Sequence, residues 1–101
     1  MKYNKLIRDK VPEITRKKGE IPVTHTANDE EYWKKLKEKM QEETAEFFHD
    51  GNEEELADVL EVVYAICDFK GIDKQKLELL RKKKLEERGG FKGRIILDET
   101  K

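Results

Sequence analysis

"MQEETAEFFHDGNEEELADVLEVVYAI", residues 40–66, sets a series of carboxylates among residues that the chain needs for its core. The reading starts from its middle, where "HDGN" is a turn: Gly51 suits the left-handed position that ends a helix, and Asn52 offers the cap of the next. Glu55, three residues on, is placed to complete a capping box. Before the turn, Trp33, Leu36, Met40 and Phe47 recur on one stripe, which predicts a helix over about residues 29–49, capped by Asn28 or Asp29. After it, Leu56, Ala57, Val59, Leu60, Val62, Val63, Ala65, Ile66 and Cys67 are apolar nearly all round, so a helix over about residues 53–70 should be central.

Outside this hairpin the punctuation is equally plain. Pro12 occupies the first turn of a short helix running to about Lys18, and Gly19 ends it. "EIPVTHTA" then reads as an extended or edge segment, because β-branched residues surround a proline. Gly71 closes the central helix and Asp73 caps a fourth, over about residues 74–88, with Leu77, Leu80 and Leu85 as its sparse apolar face. A short extended piece from Arg94 to Asp98, after a glycine turn, is a pairing partner for the earlier one. The expected fold is all-α: a bundle of about four helices in a single domain over residues 1–101, with short extended segments near both termini.

Composition narrows the possibilities. Charged residues make up 45% and apolar residues 36%, a balance that supports a fold only because the apolar positions recur at helical spacing. One antiparallel pair cannot cover a helix that is apolar nearly all round, so a homodimer or homotetramer is expected to complete the bundle. With 22 basic and 23 acidic residues the net charge is −1, and no overall field favours nucleic acid or an anionic membrane. No apolar run approaches the ~20 residues of a membrane span, and the N-terminus lacks the apolar region of a signal peptide. Cys67 lies in an apolar run as a buried, inert thiol, and a lone cysteine fits a reducing compartment, so the expected location is cytoplasmic.

The carboxylates have a geometry of their own. Residues three apart share a helix face, so Glu43 points with Glu46, and Glu55 with Asp58. In a hairpin turning at Asp50 and Gly51, residues at equal height have position numbers of constant sum, and both Glu43 with Asp58 and Glu46 with Glu55 satisfy the same sum. Two pairs therefore face each other across helix axes ~8–10 Å apart. Glu43 follows Leu36 by seven residues and Asp58 precedes Val62 by four, which puts both beside the core. Partly buried like charges call for a compensating cation, and all-oxygen ligation points to Mg²⁺, with Mn²⁺ as its substitute. Glu53 and Glu54 read as solvated helix-start residues.

"EETAE" followed by "ELAD" resembles the EExxE and ExxD signature of the all-α nucleoside triphosphate pyrophosphohydrolases, the MazG-like family. "YNKLIRDKVPEI" at the start and "KKKLEERGGFKGRIIL" at the end look like the compact single-domain members related to phosphoribosyl-ATP pyrophosphatases. The resemblance implies an enzyme that cleaves between the α- and β-phosphates to give a nucleoside monophosphate and pyrophosphate, with a house-cleaning role toward non-canonical nucleotides. It implies that Glu43, Glu46, Glu55 and Asp58 hold Mg²⁺, that Glu43 also takes part in catalysis, and that Glu42 orients or deprotonates the attacking water. Fixed positive charge for the phosphates would come from Lys5, Arg8 and Lys10 near the start and from Lys84, Arg88, Lys92 and Arg94 near the end, arginine for bidentate contact and lysine as a point charge.

Each feature has a plainer counterpart. The basic residues of the fourth helix also complement its macrodipole. Trp33, Phe47 and Tyr64 suit a core better than a base-stacking platform, and His25 and His49 have no motif around them. Two rival functions stand beside nucleoside triphosphate hydrolysis: phosphoribosyl-ATP hydrolysis, and a non-catalytic helical interaction module whose carboxylates bind a structural cation or a partner's lysines.

Overall fold

The computed structural model describes residues 3–101, and its element order is α1 (Val11–Lys17), α2 (Asp29–Asp50), α3 (Glu53–Lys70) and α4 (Lys74–Arg88). The chain is all-helical, and no strand forms among the described residues. Side-chain caps fix where three of the helices begin. Asn28 Oδ1 accepts from the Glu31 amide at 2.9 Å, Asn52 Oδ1 from the Glu55 amide at 2.9 Å, and Asp73 Oδ1 from the Gln75 amide at 2.8 Å, each satisfying a donor that the helix leaves free. Gly51 (φ 71°) and Gly71 (φ 69°) end α2 and α3 in the left-handed region, where a Cβ would be strained.

α2 and α3 form the hairpin and pack along their lengths. Leu36, Val62 and Cys67 are buried between them, so the thiol lies in the core as its apolar run predicted. At the open end of the hairpin, Trp33 stacks on Phe69 with ring centroids 5.9 Å apart, and Tyr32 meets the same ring edge-on at 5.3 Å. Trp33 thus serves packing, as its spacing predicted. Phe47 is half-buried and lies beside Phe48, whereas Tyr64 is exposed under the ammonium of Lys74.

Two expectations change. The extended segments near the termini do not pair: Ile21, Val23, Ile95 and Ile96 are all at least 78% exposed, and no ladder forms for them to join. Pro22 withholds an amide on one side, and Arg94 sits at φ 56° in a turn whose amide bonds to Phe91 carbonyl, so neither piece offers a straight edge. The four helices also do not close a bundle within one chain. The radius of gyration is 18.0 Å, against ~13 Å for a compact chain of this length, and the longest dimension is 60 Å. α4 carries no buried residue.

Among the described residues, no helix is long and apolar enough to cross a membrane.

Candidate metal centre

The site forms where the hairpin's two helices face each other one to two turns from Gly51. Glu43 extends the buried stripe of α2 and is itself only 7% exposed, an ionisable residue at a core position. Glu55 lies in the first turn of α3, where the positive end of the helix dipole favours a carboxylate, and Asp58 follows one turn on. Carboxylate oxygens of Glu43, Glu55 and Asp58 lie within 4.8 Å of one another. Neighbouring oxygens on an octahedral Mg²⁺ stand ~3 Å apart and opposed ones ~4.2 Å, so modest side-chain rotations would bring the three oxygens onto one ion.

Two of those carboxylates carry a buried oxygen with no hydrogen-bond partner among the described residues: Glu43 Oε2 and Glu55 Oε2. Buried oxygens without donors are costly, and a hard cation is the partner that three convergent carboxylates lack. The donor set therefore fits a divalent ion. Burial pushes the Glu55 carboxyl above its usual range, and the nearby charges of Glu46, Asp50 and Asp58 push it the same way. The strain is mutual repulsion, and positive charge relieves it.

Glu46 is exposed and stands outside the close group of three, although near enough for its carboxylate to act on Glu55. Three residues of helix rotate a side chain by about 300°, so Glu46 is turned about 60° from the buried direction of Glu43. The expected square is thus a triangle with a fourth carboxylate at its rim. Glu55 likewise does not complete a capping box with Asn52, because its carboxylate belongs to the acidic group instead.

Cations from two places answer the acidic charge. Lys5 Nζ lies 3.1 Å from Glu42 Oε1, and Arg8 Nη2 lies 2.8 Å from Asp58 Oδ1, so the N-terminal segment crosses the site. Lys35 anchors that segment by donating to the Asn4 carbonyl at 2.8 Å. The hydrogen bond to Glu42 raises the Lys5 pKa against the opposing effect of burial, and the charges of Glu42, Glu46 and Glu43 add to the rise. Burial works to raise the Glu42 carboxyl, but Lys5 and Lys39 together hold it below its ordinary range.

Lys39 is the residue that sequence reasoning missed. Its ammonium lies 3.3 Å from Glu43 Oε1 and 3.5 Å from Glu42 Oε2, with its side chain 16% exposed. The available signal was its position four residues before Glu43, which reads as an ordinary surface ion pair unless Glu43 is known to be buried. The remaining basic candidates lie elsewhere. Lys10 caps α1 through its backbone, and Lys84, Arg88, Lys92 and Arg94 are exposed; none pairs with the acidic group among the described residues. His25 and His49 pair locally, with Glu31 and Asp50.

No family model matches the chain, and no solved structure matches it. A protein of Mycolicibacterium smegmatis, described as an uncharacterized protein, is 49% identical over 41 residues, or 41% of this chain. The matched stretch is 42% of that relative's length.

Proposed function

We propose that the protein is a Mg²⁺-dependent nucleoside triphosphate pyrophosphohydrolase of the MazG-like kind, with Mn²⁺ able to substitute. The observation that carries the reading is the convergence of Glu43, Glu55 and Asp58 with two buried, unpartnered oxygens at a core position. The resemblance of "EETAE" and "ELAD" to the family's acidic signature supports the same assignment. Bound there, the ion supplies charge neutralisation for the polyphosphate and acidifies water.

The chain's own groups do the rest. Glu43, Glu55 and Asp58 would hold the cation, with Glu46 a further carboxylate beside them. Glu42, kept ionised by Lys5 and Lys39, accepts a hydrogen bond from the attacking water and aims it at the α-phosphorus. A carboxyl held below its ordinary range is a weak base, so its contribution is orientation more than proton removal. Lys5 and Arg8, already at the carboxylates, would meet phosphate oxygens of the leaving pyrophosphate. Lys10, Lys84, Arg88, Lys92 and Arg94 take part only if a neighbouring subunit or a bound nucleotide draws them in. An assay with ribo- and deoxynucleoside triphosphates plus Mg²⁺, separating pyrophosphate from orthophosphate, tests this reading. Folded protein that turns over none of them, and does not turn over phosphoribosyl-ATP, ends it.

One observation favours a second reading. Lys5, Arg8 and Lys39 already offset much of the acidic charge, as they would in a non-catalytic module whose carboxylates serve a partner. Calorimetry separates the two, since such a module would show no metal-dependent binding of nucleotide.

We further propose a homodimer or homotetramer. Leu56, Leu60 and Val63 of α3 line an open apolar face, and a second copy would cover it and complete the bundle.

A further inference from the structure

Lys39 occupies a position that helix stability does not explain. A lysine four residues before a glutamate is the weaker order of an i, i+4 pair, because it opposes the helix dipole. Holding a charged ammonium at 16% exposure also costs solvation, which only its partners offset. Those partners are Glu42 and the buried Glu43, whose second oxygen is buried without a partner and whose carboxylate belongs to the acidic group. On the opposite side, Arg8 holds Asp58, another member of that group. Two of the three carboxylates that a divalent ion would need therefore already carry a monovalent cation, and Glu55 carries none among the described residues.

We infer that Lys39 and Arg8 are resident counter-ions of the site, displaced from Glu43 and Asp58 when a divalent cation binds. The inference rests on the acidic group being a metal centre, and it assigns Lys39 a function that the motif itself does not. The physical ground is charge balance. Three carboxylates brought together without compensation repel one another, and two side-chain cations let the site fold with its ligands already converged. A dication beside the same oxygens repels both side chains, whose long flexible stems let them swing outward. Their charges are then free for an anionic ligand that arrives with the metal, so metal binding converts a partly offset acidic site into one that attracts polyphosphate.

The test needs no nucleotide and no turnover. Mn²⁺ is titrated into the wild type, Lys39→Met, Arg8→Met and Glu43→Gln, following free Mn²⁺ by electron paramagnetic resonance. Removing a competing cation should tighten Mn²⁺ binding by about three- to tenfold in each methionine variant, and Glu43→Gln should bind far more weakly. Arg8 lies on an exposed segment, so its variant keeps the test alive if Lys39→Met fails to fold. Mn²⁺ binding by the wild type that is unchanged or weakened in the methionine variants overturns the counter-ion assignment and leaves the metal centre standing. Absence of binding in all four proteins overturns the metal centre, and this inference with it.

Discussion

Arg8 Nη2 donates to Asp58 Oδ1 at 2.8 Å, which fastens the N-terminal segment to one of the three carboxylates that converge between α2 and α3. The pair is exposed, at 58% and 39% for the two side chains, and pairs of this kind contribute at most ~1 kcal/mol. Arg8→Ala should therefore leave the thermal midpoint nearly unchanged. If Arg8 meets phosphate in the bound state, the same variant should raise KM for nucleotide several-fold, with a smaller effect on kcat. A large loss of stability with unaltered KM would make Arg8 a structural tether and nothing more.

Glu43→Gln and Asp58→Asn keep the shape of each side chain and remove one negative charge. Both should lower pyrophosphate release by about 10³-fold or more, because the loss falls on the ion's own ligands. Far-ultraviolet circular dichroism should show unchanged helix content, since the amides keep the volume of the side chains they replace and the caps of α2 and α3 lie at other residues. Wild-type rates in either variant would refute the ligand assignment.

Glu55 separates stability from function. Its carboxyl is pushed above the ordinary range by burial and by Glu46, Asp50 and Asp58, so at neutral pH the folded metal-free protein bears a repulsion that the unfolded chain does not. Glu55→Gln removes that repulsion while keeping the Asn52 cap, which uses the Glu55 backbone amide. The variant should melt at a higher temperature than the wild type in excess chelator and show weakened metal binding. A lower midpoint would mean that the Glu55 charge is compensated in the metal-free fold.

Helix boundaries were legible because their signals are local. Asn28, Asn52 and Asp73 each cap through a side chain two or three residues from its target, and Gly51 and Gly71 supply left-handed stops. The meeting of Glu43 with Glu55 and Asp58 was legible for a related reason: a tight hairpin turns helical arithmetic into tertiary contact. What depends on direction off the axis was not. Glu46 has the right spacing and the wrong angle, and Lys39 reads as surface until the burial of Glu43 is known. The destinations of Lys84, Arg88 and Arg94 depend on where α4 goes, and α4 has too few apolar residues to direct it within one chain.

Metal should stabilise the fold, because the unfolded chain cannot present three converged carboxylates. At a free Mg²⁺ concentration 100-fold above Kd, mass action adds about 2.7 kcal/mol, which for a chain of this size raises the midpoint by about 10–20 °C. Differential scanning calorimetry with Mg²⁺ against chelator measures it. The shift should vanish in Glu43→Gln, and an equal shift there would trace it to general ionic strength.

The α3 face offers the remaining prediction. Leu56 and Leu60 are 51% and 49% exposed on a helix whose other side already covers Val62 and Cys67, and Val63 joins them in one apolar strip. Covering what is left of each leucine is worth about 1 kcal/mol, and a two-fold interface counts every residue twice. Leu60→Glu should oppose that burial by placing like charges at the centre of the symmetric contact, where each would face its own copy or the neighbouring acidic residue Glu61. Light scattering should give a multiple of 12.0 kDa for the wild type at micromolar concentration and a monomer for Leu60→Glu. Since α2 and α3 pack through Leu36, Val62 and Cys67, the variant should keep its helix content. If it also keeps its Mn²⁺ affinity but loses turnover, the missing catalytic charge comes from the second copy; full turnover by the monomer would place every needed group within one chain.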